Sequence, residues 1–489
     1  MQSLHPFSIR SRGTACAVLL SALSALVVAC GGGSGGGGGG GTPDTGPKVL
    51  LQDGAELPGG FVVNTIESAA LSNDRSIALI ASESGTPPLN GIFLRRPAGE
   101  IQPILTPSST LPEGLTLVIA RNLVMSGAGD FSFELGGQLD DDAVYLYSGG
   151  RLSLVARTAP DATPAGFQLL GDRQIADGGK IAFCGGMSPC KVDSSGDRER
   201  ITCDLEMFSG RGADVARVEL PIDLVDQATS AVTVTMDDPG RLLVGLPSRS
   251  RQSVVGEVVD GQYRSLLVRG QQIPGIGTLI SAKPRAINAA GAMVIDARLD
   301  TDGDNVIDQD RVLRYTNGEF ASVAQTGEPI GSLVAVQVRG NAIDDRGRVF
   351  FTVTSGEPGA TTGGQSYRVW DAGQTTQIVY EGESAGKDDQ NHELEVLELD
   401  QLRINAGGLT VYRAAIGYFE NGTRKTTETH LDQWVDGTRT TLLSTGWKAP
   451  TGSRIVEVSI SGLNDGGDLL TICGLDTRNN RGLLFLPRT

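Results

Sequence analysis

A short acidic stretch in the middle of the chain carries residue types suited to holding a metal ion. Its aspartates stand at the first, third, fifth and ninth positions: Asp300, Asp302, Asp304 and Asp308. The peptide carbonyl at the seventh position, that of Val306, adds another oxygen. Hard oxygen ligands at this spacing can wrap around Ca²⁺. The sequence therefore predicts a calcium site here, and a solvated acidic loop without an ion is the alternative.

The stretch resembles the nine-residue calcium loops in the propellers of integrin-type repeats. The resemblance implies that the four aspartates supply side-chain oxygens and that Val306 supplies its carbonyl. Asn305 stands where such loops usually have glycine, but Asn tolerates the left-handed backbone. The twelfth position is Arg311 and not Glu, so the stretch is not an EF-hand. We expect a bound ion to rigidify the loop and not to take part in a reaction.

Three cysteines form a second cluster of candidate residues. Cys184, Cys190 and Cys203 fall within one repeat of a chain with export features. One disulfide among them is predicted, and it would contribute about 3 kcal/mol by the chain-entropy estimate. The sequence does not say which two pair. A zinc site is the alternative, but no histidine accompanies the three thiols.

Other chemically active groups are sparse. Beyond the N-terminal segment the chain has two histidines, His392 and His430, and no Ser/His/Asp or His-based metal constellation can be assembled from them. The run Asp140–Asp142 is interpreted as a solvated loop, with a second ion site as the alternative. The sequence therefore nominates no catalytic residue.

The N-terminus predicts export and attachment to a membrane. Arg10 and Arg12 precede an apolar stretch from Ala15 to Ala29 that is too short for an ordinary spanning helix. The sequence around Cys30 resembles the lipobox of bacterial lipoproteins. That resemblance implies a lipidated Cys30 and, because Gly31 follows it, the outer membrane, facing either the periplasm or the cell surface. An ordinary secretory signal is the alternative.

The predicted organisation has three segments. Residues 1–29 are a signal peptide, residues 30–47 are the lipidated cysteine with a flexible Gly-rich tether, and residues 48–489 are one domain. The formal net charge is −16. Such an acidic chain repels phosphate backbones, so nucleic acid is not expected as a partner.

The element that positions these residues is a repeat. Its form is an apolar residue, Asn or Asp, two small or polar residues, Gly, and an alternating apolar run, as in Ile287 to Ile295. Eight copies begin at these residues: Leu71, Met125, Ile175, Met236, Ile287, Ile343, Ile404 and Leu463. Gly fills the key position in seven copies, and Arg75 fills it in the first. The key positions recur every 50 to 61 residues, which is typical of a repeat architecture.

Each unit is predicted to form four antiparallel strands. In the fifth unit these are residues 284–287, 292–299, 312–315 and 320–325, with a hairpin at Asn317-Gly318. The last unit lacks a fourth strand, whereas a spare one stands before the first unit at Lys48 to Gln52. We therefore predict an all-β, eight-bladed β-propeller that the N-terminal strand closes. A seven-bladed ring is the alternative, because the fourth unit is the least regular.

The repeats resemble those of the uncharacterised NxxGxxF tandem-repeat proteins of bacterial surfaces. The likeness extends over residues 48–489 and departs from the pattern at Arg75 and at Ala176, which replaces Asn. It implies a propeller and no particular activity.

Long insertions between the second and third strands are expected on the face opposite the short motif turns. They cover these segments: Gly136 to Asp142, Gly185 to Thr202, Asp300 to Arg311, Ser355 to Gln365 and Gly417 to Thr429. Loops on a rigid scaffold often carry function. The leading hypothesis is a non-catalytic, surface-tethered protein that binds a protein or glycan through this face. The alternative is a propeller hydrolase or lyase that uses paired carboxylates on a glycan.

Overall fold

A computed structural model describes most of the chain beyond the N-terminal segment. The described residues are 46–85, 89–111, 119–136, 142–158, 167–193, 200–212, 214–221, 224–227, 232–237, 239–246, 254–476 and 480–488. The side chains of 167–172, 187–193, 200–203 and 224–227 are outside the description. The predicted signal peptide, Cys30 and nearly all of the tether are also outside it. The part from Thr45 to Thr489 is one compact unit.

The first half of this unit contains a closing strand and four blades. The closing strand and the link to the first blade are β1 Lys48–Gln52, β2 Glu56–Leu57 and β3 Phe61–Val62. Blade 1 contains β4 Thr65–Leu71, β5 Ile77–Glu83, β6 Leu89–Arg95 and β7 Ile101–Leu105. Blade 2 contains β8 Ile119–Met125, β9 Phe131–Gly136, β10 Asp142–Ser148 and β11 Arg151–Arg157. Blade 3 contains β12 Phe167–Ala176, β13 Lys180–Asp193, β14 Arg200–Arg211, β15 Asp214–Val218 and β16 Leu224–Gln227. Blade 4 contains β17 Thr233–Met236, β18 Leu242–Gly245, β19 Val255–Val259 and β20 Gln262–Leu267.

The second half contains four more blades. Blade 5 contains β21 Gln272–Ile273, β22 Gly277–Ile287, β23 Met293–Asp300, β24 Gln309–Thr316 and β25 Glu319–Gln325. Blade 6 contains β26 Pro329–Ile330, β27 Leu333–Ile343, β28 Val349–Gly356, β29 Gly364–Asp371 and β30 Gln374–Tyr380. Blade 7 contains β31 Ser384–Lys387, β32 Glu393–Ile404, β33 Thr410–Glu420, β34 Thr423–Val435 and β35 Thr438–Ser444. Blade 8 contains β36 Ile455–Leu463, β37 Leu469–Leu475 and β38 Asn480–Leu486.

The N-terminal strand completes the last blade, as predicted. The order of blade 8 is β1-β38-β37-β36, and β1 pairs antiparallel with β38, with Lys48 opposite Phe485 and Gln52 opposite Gly482. The pairing satisfies backbone groups that an open edge would leave exposed. The fourth unit forms a complete blade from short strands. The structure is therefore an eight-bladed β-propeller, and the seven-bladed alternative is wrong.

The strand that begins each unit is the innermost strand of its blade. These strands contact their counterparts in neighbouring blades, as β4 and β8, β17 and β22, and β36 and β4 do. Apolar side chains fill the space between blades, as where Val294 and Val312 of blade 5 pack with Val338 of blade 6. Burial of this apolar surface between blades is the main stabilising term. Among the described residues, none lies in a helix long and apolar enough to cross a membrane.

Two predicted boundaries need correction. The innermost strand of blade 5 begins at Gly277, earlier than the predicted residue 284, because the motif marks only the end of the strand. The insertion Gly417 to Thr429 is not a loop: β33 runs to Glu420 and β34 starts at Thr423, so it is an extended hairpin. The strands beside Gly185 to Thr202 likewise extend to Asp193 and from Arg200.

Candidate functional site: a basic cleft on the central channel

The repeated motif turns occupy one end of every blade and fasten neighbouring blades together. In blade 5 the Asn288 side chain accepts a hydrogen bond from the Ala292 N–H at 2.9 Å, which closes its own turn. Its amide group then donates to the Asp344 carbonyl of blade 6 at 2.8 Å. Asn288 is almost fully buried. The motif therefore closes its own turn and binds the next blade, and its polar groups are used in these structural contacts.

The same contact recurs around the ring. Asn405 of blade 7 donates to the Asn464 carbonyl of blade 8 at 3.0 Å, and Asn464 donates to the Ser72 carbonyl of blade 1 at 3.2 Å. Sequence reasoning explained the motif by hairpin geometry alone. The contact with the next blade was missed, because a repeat pattern does not show which groups of two copies meet.

Arg75, which replaces the motif glycine, lies where the last blade meets the first. Its φ is 70°, the left-handed region that glycine occupies in the other copies. Its guanidinium makes two bonds with the buried Asp468 of blade 8, at 2.8 and 3.1 Å. Burial acts to raise the pKa of Asp468, but hydrogen bonds from Arg75, Asn464 and the Arg488 N–H outweigh it and lower that pKa below its usual value. Arg75 thus adds an ion pair between blade 1 and blade 8, where the ring closes. We call this ion pair of Arg75 with Asp468 the clasp.

The opposite end of the blades carries the long connections, as predicted. Leu299 pairs with Gln309 beside the acidic loop 301–308, whereas Ile287 pairs with Met293 beside the motif turn. The two ends of blade 5 are therefore distinct. We call the end with the long connections the long-loop face.

In the acidic loop, three of the four predicted aspartates come together. Carboxylate oxygens of Asp300, Asp302 and Asp304 lie within 4.8 Å of one another. Asp308 instead accepts hydrogen bonds from the backbone and hydroxyl of Thr301, at 2.7 and 2.9 Å. Calcium binding by this loop therefore stays a prediction.

The electrostatics of the loop follow from this arrangement. Backbone N–H groups, that of Gly303 first, lower the pKa of Asp300. An N–H bond from Asp304 acts to lower the pKa of Asp302, but the negative charges of Asp304 and Asp308 outweigh it and raise that pKa. Asn305 has φ of 64°, which confirms that Asn takes the left-handed backbone at this position.

The other predicted site residues are only partly described. Cys184 is buried with a free thiol, and burial raises its pKa to about 12. The side chains of Cys190 and Cys203 lie outside the described residues, so the disulfide is untested. Asp140 and Asp141 also lie outside the described residues, whereas Asp142 makes a 2.8 Å ion pair with Arg121.

Both histidines belong to blade 7. His392 stacks on Tyr418 with ring centroids 4.1 Å apart and contacts Asp388 at 2.7 Å. His430 lies on β34 opposite Ala414 and contacts Glu428 at 3.1 Å. The two rings are therefore held by separate partners.

A cleft that sequence reasoning did not find lies on the central channel, toward the long-loop face. It has a volume of about 370 Å³ and is lined by blades 4, 5 and 6. A second cleft of about 350 Å³ is lined by blades 5, 6 and 7. Arg285 and Arg339 line both. The second cleft is lined by residues such as Ala342 and Ile404, which stand next to the motif turns. The two clefts together therefore follow the innermost strands from the long-loop face toward the motif face, and we call them the basic cleft.

The basic cleft contains more positive than negative side chains. The cations are Lys283, Arg285, Arg298, Arg311, Arg339 and Arg403. The acids that line it are Asp296 and Asp310, and they pair with Arg285 at 2.6 Å and with Arg298 at 3.5 Å. Within the described part of the chain, the remaining four cations have no carboxylate partner. This excess of positive charge contrasts with the net charge of −16 of the whole chain.

β-bulges in the innermost strands help to place these cations. The pairing of β22 with β23 shifts between Pro284 and Ala286, which leaves Arg285 outside the ladder. In blade 7 the shift lies between Asp400 and Arg403. A bulge bends a strand and re-aims a side chain. No residue pattern in the printed sequence marks these bulges.

Asp296 anchors the centre of the basic cleft. One of its oxygens accepts from Arg285 and the other accepts from the Gly340 N–H of blade 6 at 2.7 Å. Burial raises the pKa of Asp296, although Arg285 and the Gly340 N–H act to lower it. The carboxylate therefore fixes Arg285 and joins blade 5 to blade 6.

Comparisons with known proteins give no family. No protein-family model and no curated protein matches the chain. Among solved structures, the Dos1 propeller is 10% identical and has a TM-score of 0.42, with 91% of this chain and 96% of that chain covered. The propeller domain of the trilobed protease from Pyrococcus furiosus is 12% identical, with a TM-score of 0.41 and coverage of 77% and 97%. A polysaccharide lyase that acts on ulvan is 11% identical, with a TM-score of 0.35 and coverage of 74% and 90%. The likeness to each is too low to assign a function.

Proposed function

We propose that the chain is a non-catalytic binding or scaffolding lipoprotein that recognises a protein or glycan through the long-loop face of the propeller. The observation that carries this proposal is the basic cleft, which draws side chains from four blades. Concave sites with a few convergent polar groups are the usual form of ligand sites. The part of the cleft that includes Asp310 and Arg311 lies toward the long-loop face, whereas the Asn side chains of the motif turns are used in contacts between blades.

Attachment to the outer membrane belongs to the same proposal. A lipid on Cys30 and the Gly-rich segment after it would hold the propeller at the periplasmic or cell-surface side while leaving it free to turn. Calcium in the loop at Asp300 would stiffen the rim of the cleft, because Arg298 and Arg311 each stand three residues from this loop. Nucleic acid remains an unexpected partner for so acidic a chain.

A hydrolase or lyase is the second candidate, and one observation favours it. Asp296 lies opposite Val312, and Asp310 is its diagonal neighbour on the same face of the sheet. Two acids therefore line one cleft on the same face of the sheet, and paired carboxylates are what most glycosidases use. However, both carboxylate oxygens of Asp296 already accept hydrogen bonds, from Arg285 and from the Gly340 N–H. A general acid needs a proton available to the substrate, so binding is the better-supported function.

The experiment measures retention and product release together. The full-length chain in neutral detergent is passed over immobilised neutral, uronate-bearing and sulfated polysaccharides, and released reducing ends are counted. Retention without release is expected. Release that Asp296→Asn or Asp310→Asn abolishes, and that the exposed Asp371→Asn leaves intact, would instead establish an enzyme. Failure of every polysaccharide to be retained would rule out the glycan form of the proposal.

A further inference from the structure

We propose that the basic cleft binds an oxyanion-bearing saccharide, one whose sugars carry carboxylate or sulfate groups, and that Arg339 and Arg403 contact those groups. This inference rests on the proposed function and specifies its ligand. Its first support is the distribution of charge. The chain has a net charge of −16, yet four of the cations that line the cleft lie on three successive innermost strands, where they form a local positive field. They are Lys283, Arg285, Arg339 and Arg403.

The second support is the state of the individual cations. Arg339 and Arg403 are exposed and, among the described residues, neither makes an ion pair. Arg403 donates one N–H to the Leu402 carbonyl at 3.1 Å and keeps its other donors. A guanidinium has five donors in a planar fork that matches carboxylate and sulfate oxygens. These two side chains therefore offer donors that the fold does not use.

The third support is preorganisation at the centre of the cleft. Asp296 fixes Arg285 by accepting a hydrogen bond from its Nε, and Arg285 shares the lining of the cleft with Lys283 and Arg339. Holding a donor before the ligand arrives lowers the entropy lost on binding. Asp296 is thus a positioning residue in this proposal.

The size and shape of the cleft favour a saccharide over other polyanions. Each part, of about 370 and about 350 Å³, lies at the lower end of the range for small-molecule sites. A path along three innermost strands suits an extended single chain of sugars. A nucleic-acid duplex is too wide for this path and would meet the acidic surface around it.

The test compares ligands that differ in charge. The full-length chain in neutral detergent is titrated with polygalacturonate, dextran sulfate and neutral dextran, and with a single-stranded oligonucleotide as the competing class. Binding to one or both anionic polysaccharides is expected, and the polymer that binds identifies the carboxylate or the sulfate. Binding should weaken as salt is raised, because salt screens exposed charges. Equal binding of neutral dextran, or binding of the oligonucleotide alone, would overturn the inference.

Variants locate the contact within the cleft. Arg339→Gln and Arg403→Gln should each weaken binding by about tenfold to a hundredfold, the effect of losing a hydrogen bond to a charged group. Arg346→Gln is the matched control: it removes the same charge on the motif face, where Arg346 makes only a 3.5 Å exposed pair with Asp436. Its affinity should equal that of the parent. Arg339→Lys should restore part of the binding, because the charge is kept while the fork is lost.

Fold and function are separated by parallel measurements. Within the described ranges neither Arg339 nor Arg403 makes an ion pair, so the urea midpoint of each Gln variant should match that of the parent. Affinity for an anionic polysaccharide that both variants leave unchanged would refute the inference while leaving the proposed binding function in place. Release of oligosaccharides would refute the proposed non-catalytic function. The affinities of the same two variants would still show whether Arg339 and Arg403 contact the saccharide. Binding to none of the four polymers would refute the inference.

Discussion

Replacing Arg75 tests the clasp at the ring junction. Asp468 is 2% exposed, whereas the side chain of Arg75 is 56% exposed. Arg75→Ala therefore removes a partner from a buried carboxylate while leaving the rest of the junction in place. The strand pairing of β1 with β38 is untouched by this change. Any loss of stability should come from the carboxylate and not from an opened ring.

The expected loss lies between two limits. Breaking a buried ion pair destabilises by about 3–5 kcal/mol, whereas an exposed pair contributes about 0.2–1 kcal/mol. Arg75 is half exposed, and Asn464 and the Arg488 N–H still donate to Asp468. We therefore expect Arg75→Ala to lower the free energy of unfolding by about 2 kcal/mol. Arg75→Gly should lose about 1 kcal/mol less, because glycine adopts φ of 70° without the steric penalty of a side chain.

Urea unfolding of the parent, both variants and Arg346→Ala measures these differences. Arg346 pairs at 3.5 Å with Asp436 and both are exposed, so its replacement should change stability by less than about 1 kcal/mol. The pKa of Asp468 is lowered in the folded state, so its stabilisation is present above its usual pKa of 3.8 and is lost as pH falls through the lower folded value. The gap between parent and Arg75→Ala should therefore be constant near neutral pH and shrink as the pH falls below 3.8. Equal stability of Arg75→Ala and Arg346→Ala near neutral pH would refute the clasp.

Three further predictions concern the frame, the acidic loop and the anchor. Gly291→Val should lower the free energy of unfolding by about 1–3 kcal/mol, because valine is strained in the left-handed region. It should leave saccharide affinity per folded molecule unchanged. A change in affinity without a change in stability would show that the ligand binds at the motif face and not at the long-loop face. Chelation should lower the melting midpoint of the parent if the loop binds Ca²⁺, and Asp304→Asn should remove that response; an unchanged parent midpoint would refute the site. Cys30→Ala should abolish incorporation of labelled fatty acid and association with membranes, and continued membrane fractionation of an unlabelled variant would contradict the anchor.

The eight-bladed ring could be predicted from the sequence because the residue patterns that indicate it are local. Each turn motif places one residue in the left-handed region, and each marks the end of an innermost strand. The closure also follows from local facts, since the three strands of the last unit lack a partner that Lys48 to Gln52 can supply. Such information survives in a single sequence because a hairpin depends on a few adjacent residues.

The basic cleft could not be predicted in the same way. Arg285, Arg339 and Arg403 stand three, five and two residues before their motif positions, so they share no column of the repeat. Bulges in the innermost strands change which way each side chain points. The meeting of the three guanidinium groups is a property of neighbouring blades, and it appears only once the ring is closed.

The sequence also did not show which arginines would form ion pairs within the fold and which would keep their donors for a ligand. Arg348 pairs with the buried Asp344 and with Asp436 on the motif face, and Arg75 pairs with Asp468. On that face, arginine joins one blade to the next. In the basic cleft Arg285 pairs with Asp296 of its own blade, whereas Arg339 and Arg403, among the described residues, make no ion pair.

This contrast decides how the cations of the cleft should be interpreted. If their role were to hold blades together, each would need a carboxylate on the neighbouring blade, as the arginines of the motif face have. Among the described residues, four cations that line the cleft make no ion pair, so their like charges repel one another and oppose folding. A ligand that supplies the missing oxyanions would remove this repulsion, and by linkage it would stabilise the propeller in proportion to its affinity and concentration. Polygalacturonate or dextran sulfate, whichever binds, should therefore raise the melting midpoint of the parent and leave that of a combined Arg339→Gln and Arg403→Gln variant unchanged; an equal rise in both would show that these cations do not receive the ligand.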